Sequence, residues 1–319
     1  DVQMRRWFDD NDSVLVNTYL HQKSLYGRFG KPSWKIKLYG GFNHQVTWGN
    51  ESDFYTRDYY LSPLSTFGYV LIGKRYNSGF IEQTRLGNHM GSIDLGLEYR
   101  SENVGILIYR QNFYDGGALS KLANIQDGLN GISIMNIRQS EKQVQWKKLL
   151  IEFLYTKNQA GEPWSPEYGS NFENYYNHGE YVNGWSYLER GIGNPFISTA
   201  KEVRPGLPSG PQEYFINSRV LAVNCGFEGA VGALNYTLKA SWSENYGTYM
   251  TTDEEQSTGL TDPGAYGIFG SQQQLSAYFD LERSIEQGFT FGLAGAFDHG
   301  TLLSNSVGIF LKASYSFGL

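Results

Sequence analysis

The sequence predicts an all-β fold, an antiparallel transmembrane β-barrel of the bacterial outer membrane with about 12 to 18 strands. Three observations predict it. Apolar side chains alternate with small or polar ones to the C-terminus, the alternation recurs along the chain, and short connections take turns with long ones.

The clearest element spans residues 306 to 319. Val307, Ile309, Leu311, Ala313, Tyr315, Phe317 and Leu319 share one parity; Gly308, Lys312, Ser314, Ser316 and Gly318 share the other, with Phe310 as the exception. Successive strand side chains point to opposite faces, so this strand offers one apolar face and one small or polar face. The pattern repeats at Phe289, Phe291, Leu293 and Phe297, and again at Leu275, Ala277, Phe279 and Leu281. Leu234 to Trp242 forms a further two-faced strand that pairs naturally with Val220 to Phe227. Earlier stripes run through Leu149 to Tyr155, Ile93 to Tyr99, Val104 to Ile108 and Trp34 to Phe42, with Val14 to Leu20 a weaker candidate.

The connections set the architecture. Residues 100–103, 228–232 and 283–288 are brief, whereas 156–213 and 245–271 are long. Outer-membrane barrels combine short periplasmic turns with long extracellular loops, and closure leaves no unpaired edge in lipid. Trp34, Tyr99, Tyr155 and Trp242 fall at strand ends, as interfacial aromatic girdles do. The 319 residues are read as a single barrel domain, since barrels run longer than the roughly 100 to 200 residues of an ordinary domain.

Composition agrees. Aromatics make up 16 % of the chain and charged residues 18 %, below the roughly 25 % of soluble domains. Mean hydropathy is -0.43, and no apolar run approaches the roughly 20 residues of a membrane helix. A net charge of -6 without clustered Lys and Arg argues against nucleic acid. Cys225 is the single cysteine, so neither an intrachain disulfide nor a cysteine metal site forms. Residues 1–10 carry no signal peptide, which is expected upstream in the encoded precursor.

The polar loop 157–196 carries the candidate site. Sugars are held by aromatic faces and by amide, imidazole and charged groups on their hydroxyls. Tyr175, Tyr176, Asn177, His178, Trp185 and Arg190 supply both kinds. The competing reading is structural, because a loop of this length needs its own aromatics and hydrogen bonds to be ordered. The five His residues show no metal-ligand spacing, so no metal and no cofactor is expected. Asp115 and Asp127 stand beside glycines, where Asp shapes turns. No nucleophile motif stands out, and the chain is read as non-enzymatic.

Several stretches, in order, carry a family resemblance: residues 37–49 (KLYGGFNHQVTWG), 88–94 (NHMGSID), 114–117 (YDGG), 125–131 (IQDGLNG), 152–159 (EFLYTKNQ), 174–179 (NYYNHG), 184–195 (GWSYLERGIGNP) and 245–249 (NYGTY). Together they resemble the capsule assembly Wzi family, particularly its Bacteroidetes members. The resemblance implies an outer-membrane barrel of about eighteen strands that holds capsular or exopolysaccharide at the cell surface as a lectin. Family members are longer at the N-terminus. The shortfall in strands is explained either by strands concealed in weakly patterned segments such as 52–76 or by a missing N-terminal part of the barrel.

Two other functions remain open. A passive, porin-like channel for saccharides or small solutes needs an open lumen, against which the lumen-parity Tyr39, Tyr109, Tyr278 and Phe310 argue. A structural barrel subunit of a larger envelope complex would use its loops to bind protein. The partners expected are surface polysaccharide, outer-membrane lipid or lipopolysaccharide and, in the last reading, envelope proteins.

Overall fold

In the computed structural model the described residues are 2–5, 13–16, 18–55, 58–78, 81–115, 118–138, 143–160, 173–211, 213–252, 266–285 and 288–317. A short hairpin, β1 (Val2–Arg5) with β2 (Ser13–Val16), precedes the main sheet. The main sheet contains β3 (Tyr19–Phe29), β4 (Ile36–Trp48), β7 (Asn88–Arg100), β8 (Val104–Asp115), β9 (Gly128–Asn136), β10 (Val144–Tyr155), β15 (Val220–Val231), β16 (Leu234–Asn245), β17 (Gln272–Ser284), β18 (Phe289–Gly300) and β19 (Ser306–Tyr315).

These eleven strands lie side by side in chain order, every pair antiparallel, with β3 and β19 at the two edges. Neighbours in the sheet follow chain order, joined by short turns at one end and by longer connections at the other. The tightest connection is Gly232-Ala233 between β15 and β16, where the pairing runs to Val231↔Leu234 and Gly232 takes φ +58°. The strands therefore continue closer to this turn than the alternation alone indicated. Gly318 and Leu319 lie outside the described residues.

Register sorts the side chains with little mixing. One row crosses the whole sheet as Phe29, Leu38, Leu97, Ile108, Ile132, Ile151, Cys225, Ala240, Ala277, Phe297 and Val307, all apolar or weakly polar. The next row, pointing the other way, reads Arg28, Tyr39, Gly96, Tyr109, Gly131, Glu152, Asn224, Ser241, Ser276, Asp298 and Ser306. A pleated strand forces this separation, since a shift of one residue would exchange the faces. The apolar face is largely uncovered: Leu38, Leu95, Ile108, Phe291 and Phe297 are all exposed. At the edge strands exposure rises further, to 86 % for Leu311 and 74 % for Leu25.

The connections divide by end. At one end lie 30–35, 101–103, 137–143, 232–233 and 285–288; at the other lie 49–87, 116–127, 156–219, 246–271 and 301–305. The predicted asymmetry is present, and all the long connections share one end.

Two expectations need correction. Among the described residues of 52–76 there is no strand of the main sheet; they form helices α1 (Glu51–Phe54) and α2 (Pro63–Ile72), followed by β5 (Arg75–Ser78) with β6 (Ile81–Arg85). The α2 signals are local. Ser62 caps the helix by accepting the Ser65 N–H, Pro63 occupies the first turn and Gly73 ends it in the left-handed region. Phe67 packs edge-on against His21 and on Trp48, seating the helix against the apolar-row face of β3 and β4. Val14 to Leu20, in turn, is split between β2 and β3. No described helix is long and apolar enough to cross a membrane.

Candidate functional site

The connection 156–219 folds over one end of the polar face. Its frame includes the hairpin β11 (Ser186–Tyr187) with β12 (Arg190–Gly191) and the pair β13 (Ser198–Thr199) with β14 (Phe215–Asn217). Residues 161–172 lie outside the described region.

The predicted site residues are brought together, but most of them hold this connection in place. Tyr175, Tyr176 and Trp185 form one buried cluster with Ile197 and Phe215, and the Trp185 ring is 1 % exposed. Their faces are enclosed by protein and are not presented for stacking. Asn177 works as a clamp: its Nδ2 donates to the Phe215 carbonyl at 2.8 Å, and its Oδ1 accepts from the N–H groups of Tyr214 and Phe215 at 3.1 and 2.9 Å. His178 Nδ1 accepts from the N–H groups of Glu180 and Tyr181, which fixes a neutral tautomer with the proton on Nε2. Burial pushes its pKa down to about 4, so the Glu180 carboxylate 3.9 Å away is not an ion-pair partner at neutral pH. Arg190 is the exception, exposed beside the exposed tip Tyr187-Leu188.

Beneath the cluster is a second layer of buried polar groups. The Tyr175 hydroxyl donates to Asp127 at 2.7 Å, and the same carboxylate accepts from the N–H groups of Asn158 and Gln159. Asp127 therefore acts across the fold, beyond the local turn its glycine neighbour suggested. Burial raises its pKa to about 6 against those hydrogen bonds.

The cluster positions a strap, residues 192–196, that descends onto the polar face. The Tyr176 hydroxyl accepts the Asn194 N–H at 2.7 Å, and Trp185 accepts the Ile192 N–H at 2.8 Å through its carbonyl. Asn217 Nδ2 holds the Phe196 carbonyl at 3.0 Å. Gly193 has φ +105°, and a Cβ there would come within 2.7 Å of the Tyr176 hydroxyl, so the strap has no room for a side chain at its bend.

Two cavities flank the strap, of about 500 and about 420 Å3. The first lies against Asn43, Gln45, Ser92 and Gln111; the second against Lys148, Glu228, Lys239 and Tyr278. Glu152, Asn224, Pro195 and Phe196 border both. Apart from Tyr278, named for its parity, none of these residues stands out in the sequence as a binding group. The available signal was their parity, because each strand amide faces opposite an apolar row.

Elsewhere the polar face satisfies its own charges. Tyr39 and Arg28 converge on Glu98 at 2.5 and 2.8 Å, Tyr109 donates to Glu152, and Lys312 pairs with Asp280 and Glu282. Tyr39, Tyr109 and Tyr278 thus share the polar face of the sheet. On the apolar-row parity, His44 and His89 are distant in sequence but lie 2.9 Å apart, with His89 Nε2 on the Leu86 carbonyl. Among the described residues no group of three or more His, Cys, Asp or Glu is arranged to hold a metal.

In comparison with known proteins, the chain matches no family model and no curated protein.

Proposed function

We propose that this chain forms the wall of a bacterial outer-membrane β-barrel that holds surface polysaccharide without cleaving it. The observation that carries the membrane part is the pair of neighbouring register rows, one apolar across all eleven strands and largely exposed, the other polar. A soluble protein rarely leaves an apolar face of this extent uncovered. In a bilayer that face is solvated by acyl chains, and the unpaired edges of β3 and β19 require further pairing to complete a closed wall. The arrangement of short turns at one end and long connections at the other fits periplasmic and extracellular sides.

The polysaccharide part rests on the resemblance to the capsule assembly Wzi family and on the amide-rich polar face beneath the strap. The strap obstructs the space over that face, which counts against a passive channel. Interaction with other envelope proteins would fall to the exposed tip around Tyr187 and Leu188.

Cys225 supplies the membrane test, because it is the only cysteine and sits exposed in the apolar row. A fluorophore attached there is expected to be quenched by bromine-labelled acyl chains in reconstituted vesicles and to be spared by aqueous iodide. Quenching by iodide alone would overturn the lipid-facing assignment. For the polysaccharide part, cells lacking this protein are expected to shed surface polysaccharide into the medium, with retention restored by complementation. Unchanged retention would remove that reading.

A further inference from the structure

The two cavities beside the strap adjoin each other, with Glu152, Asn224, Pro195 and Phe196 bordering both. The larger lies toward the ends of β4, β7 and β8 that lead into long connections. The smaller reaches Glu228 on β15 and Thr237 on β16, toward the tight turn at 232–233. Together they run obliquely along the polar face from the long-connection end toward the short-turn end.

The larger cavity is lined by uncharged polar side chains together with the apolar Met90, Phe113, Leu129 and Leu154. Asn43, Gln45, Ser92, Gln111 and Asn224 are uncharged groups that donate and accept hydrogen bonds, of which Asn43 and Gln111 already donate to Asp94, leaving the Gln111 carbonyl oxygen as its open group. No described residue hydrogen-bonds the side chains of Gln45 or Asn224, which leaves both amides available to a ligand. Glu152 is the only charged residue of the larger cavity, and its carboxylate already accepts the Tyr109 hydroxyl. The smaller cavity balances Lys148 and Lys239 against Glu152 and Glu228. Phe196 is half-buried, with one part of its ring packed on Leu154, Val220 and Ala222 and the remainder bordering both cavities.

We propose that this is a single groove for a neutral, hydroxyl-rich chain. A sugar ring stacks on Phe196, and the amides of Gln45, Gln111 and Asn224 engage hydroxyls on either side. The inference rests on the polysaccharide reading above and locates the contact on the polar face of the sheet, beside the residues Tyr175, Tyr176 and Trp185 that hold the strap. Amides suit such a ligand because they match hydroxyls in both directions without burying a net charge. An aromatic face offers a large apolar contact to a sugar ring at little conformational cost. The volumes fall within the roughly 300 to 1,000 Å3 of ordinary ligand pockets. Because the groove passes under the strap and continues on both sides, it favours a polymer over a single sugar.

The test is calorimetric titration of the full chain in detergent. Its probes are oligosaccharides of graded length, cut by mild acid from the surface polysaccharide of the producing cell, with hyaluronan as a polyanionic comparison. Affinity is expected to rise with length until the groove is filled, and hyaluronan is expected to bind more weakly. Asn224→Trp blocks the junction from a strand position outside the hydrogen bonds of the strap. It is expected to weaken the longest oligosaccharide about tenfold or more, and Phe196→Leu about tenfold by loss of the stacking face. An unchanged thermal melt for Asn224→Trp separates this loss from misfolding. Wild-type affinity in both variants, no dependence on length, stronger binding of hyaluronan, or no binding by the wild type would each overturn the groove. The retention experiment in cells judges the polysaccharide reading independently.

Discussion

The Tyr176 hydroxyl accepts the backbone N–H of Asn194 at 2.7 Å and so ties the strap to the aromatic cluster above it. Tyr176 itself takes φ +75°, a left-handed conformation rare for a bulky residue, which the surrounding packing sustains. Tyr176→Phe keeps the ring and removes the acceptor, and is expected to cost about 1 kcal/mol. Hydrogen exchange is expected to accelerate at residues 194–197 while the strands of the main sheet stay protected. Gly193→Ala combines an unfavourable backbone conformation with a clash against the same hydroxyl, and is expected to cost about 1 to 3 kcal/mol.

Asn177 and Arg190 should behave in opposite ways although both came from the same polar stretch. Asn177→Ala leaves one carbonyl and two N–H groups of Tyr214 and Phe215 without their partner, at a cost of about 3 kcal/mol. Arg190→Ala removes an exposed side chain and should fall within about 0.5 kcal/mol of wild type. Urea unfolding midpoints distinguish the two outcomes.

Asp127 and His178 give opposing pH dependences. Folding raises the Asp127 pKa from 3.8 to about 6, so its contribution is fully present below 3.8 and is lost as pH rises through about 6. Folding lowers the His178 pKa from 6.5 to about 4, so its contribution is present above 6.5 and is lost as pH falls through about 4. Between these limits the two slopes oppose each other. Asp127→Asn should therefore gain stability relative to wild type as pH rises through this window, by about 3 kcal/mol in total. His178→Gln should gain relative to wild type as pH falls. Parallel stability profiles for the wild type and both variants would refute this account.

The two register rows predict contrasting tolerance to charge. Ile108→Arg places a cation on the apolar row and is expected to cost about 2 to 4 kcal/mol in a bilayer. Ser241→Arg, on the polar row, is expected to change stability by about 0.5 kcal/mol or less. Unfolding titrations in lipid vesicles measure both, and equal costs would contradict a lipid-facing row.

Much of the main sheet was legible from period alone. The stripes through Leu275 and Phe289, and the two-faced run from Leu234 to Trp242, each became a strand at the expected position and parity. Gly128–Asn136 does not stand out in the sequence because Leu129 and Met135 share the polar-row parity with Gly131 and Ser133, which blurs the alternation. Residues 52–76 lack that period because α2 is defined instead by Ser62, Pro63 and Gly73. The candidate site was legible as a place but not as a set of roles. Tyr175, Tyr176 and Trp185 have the composition of a sugar platform, yet burial in the cap makes them its interior.

The sequence by itself determined the two faces of the sheet, since a period of two assigns each strand residue to one side before any pairing is known. It also determined which connections are short. Only the tertiary structure decided that the strands align so that apolar rows meet across all eleven, because register depends on pairing between strands. The path of the strap was likewise a tertiary decision: Asn194 and Phe196 reach Asn224 and Glu152 through contacts with Tyr176, Trp185 and Asn217 that no local pattern encodes.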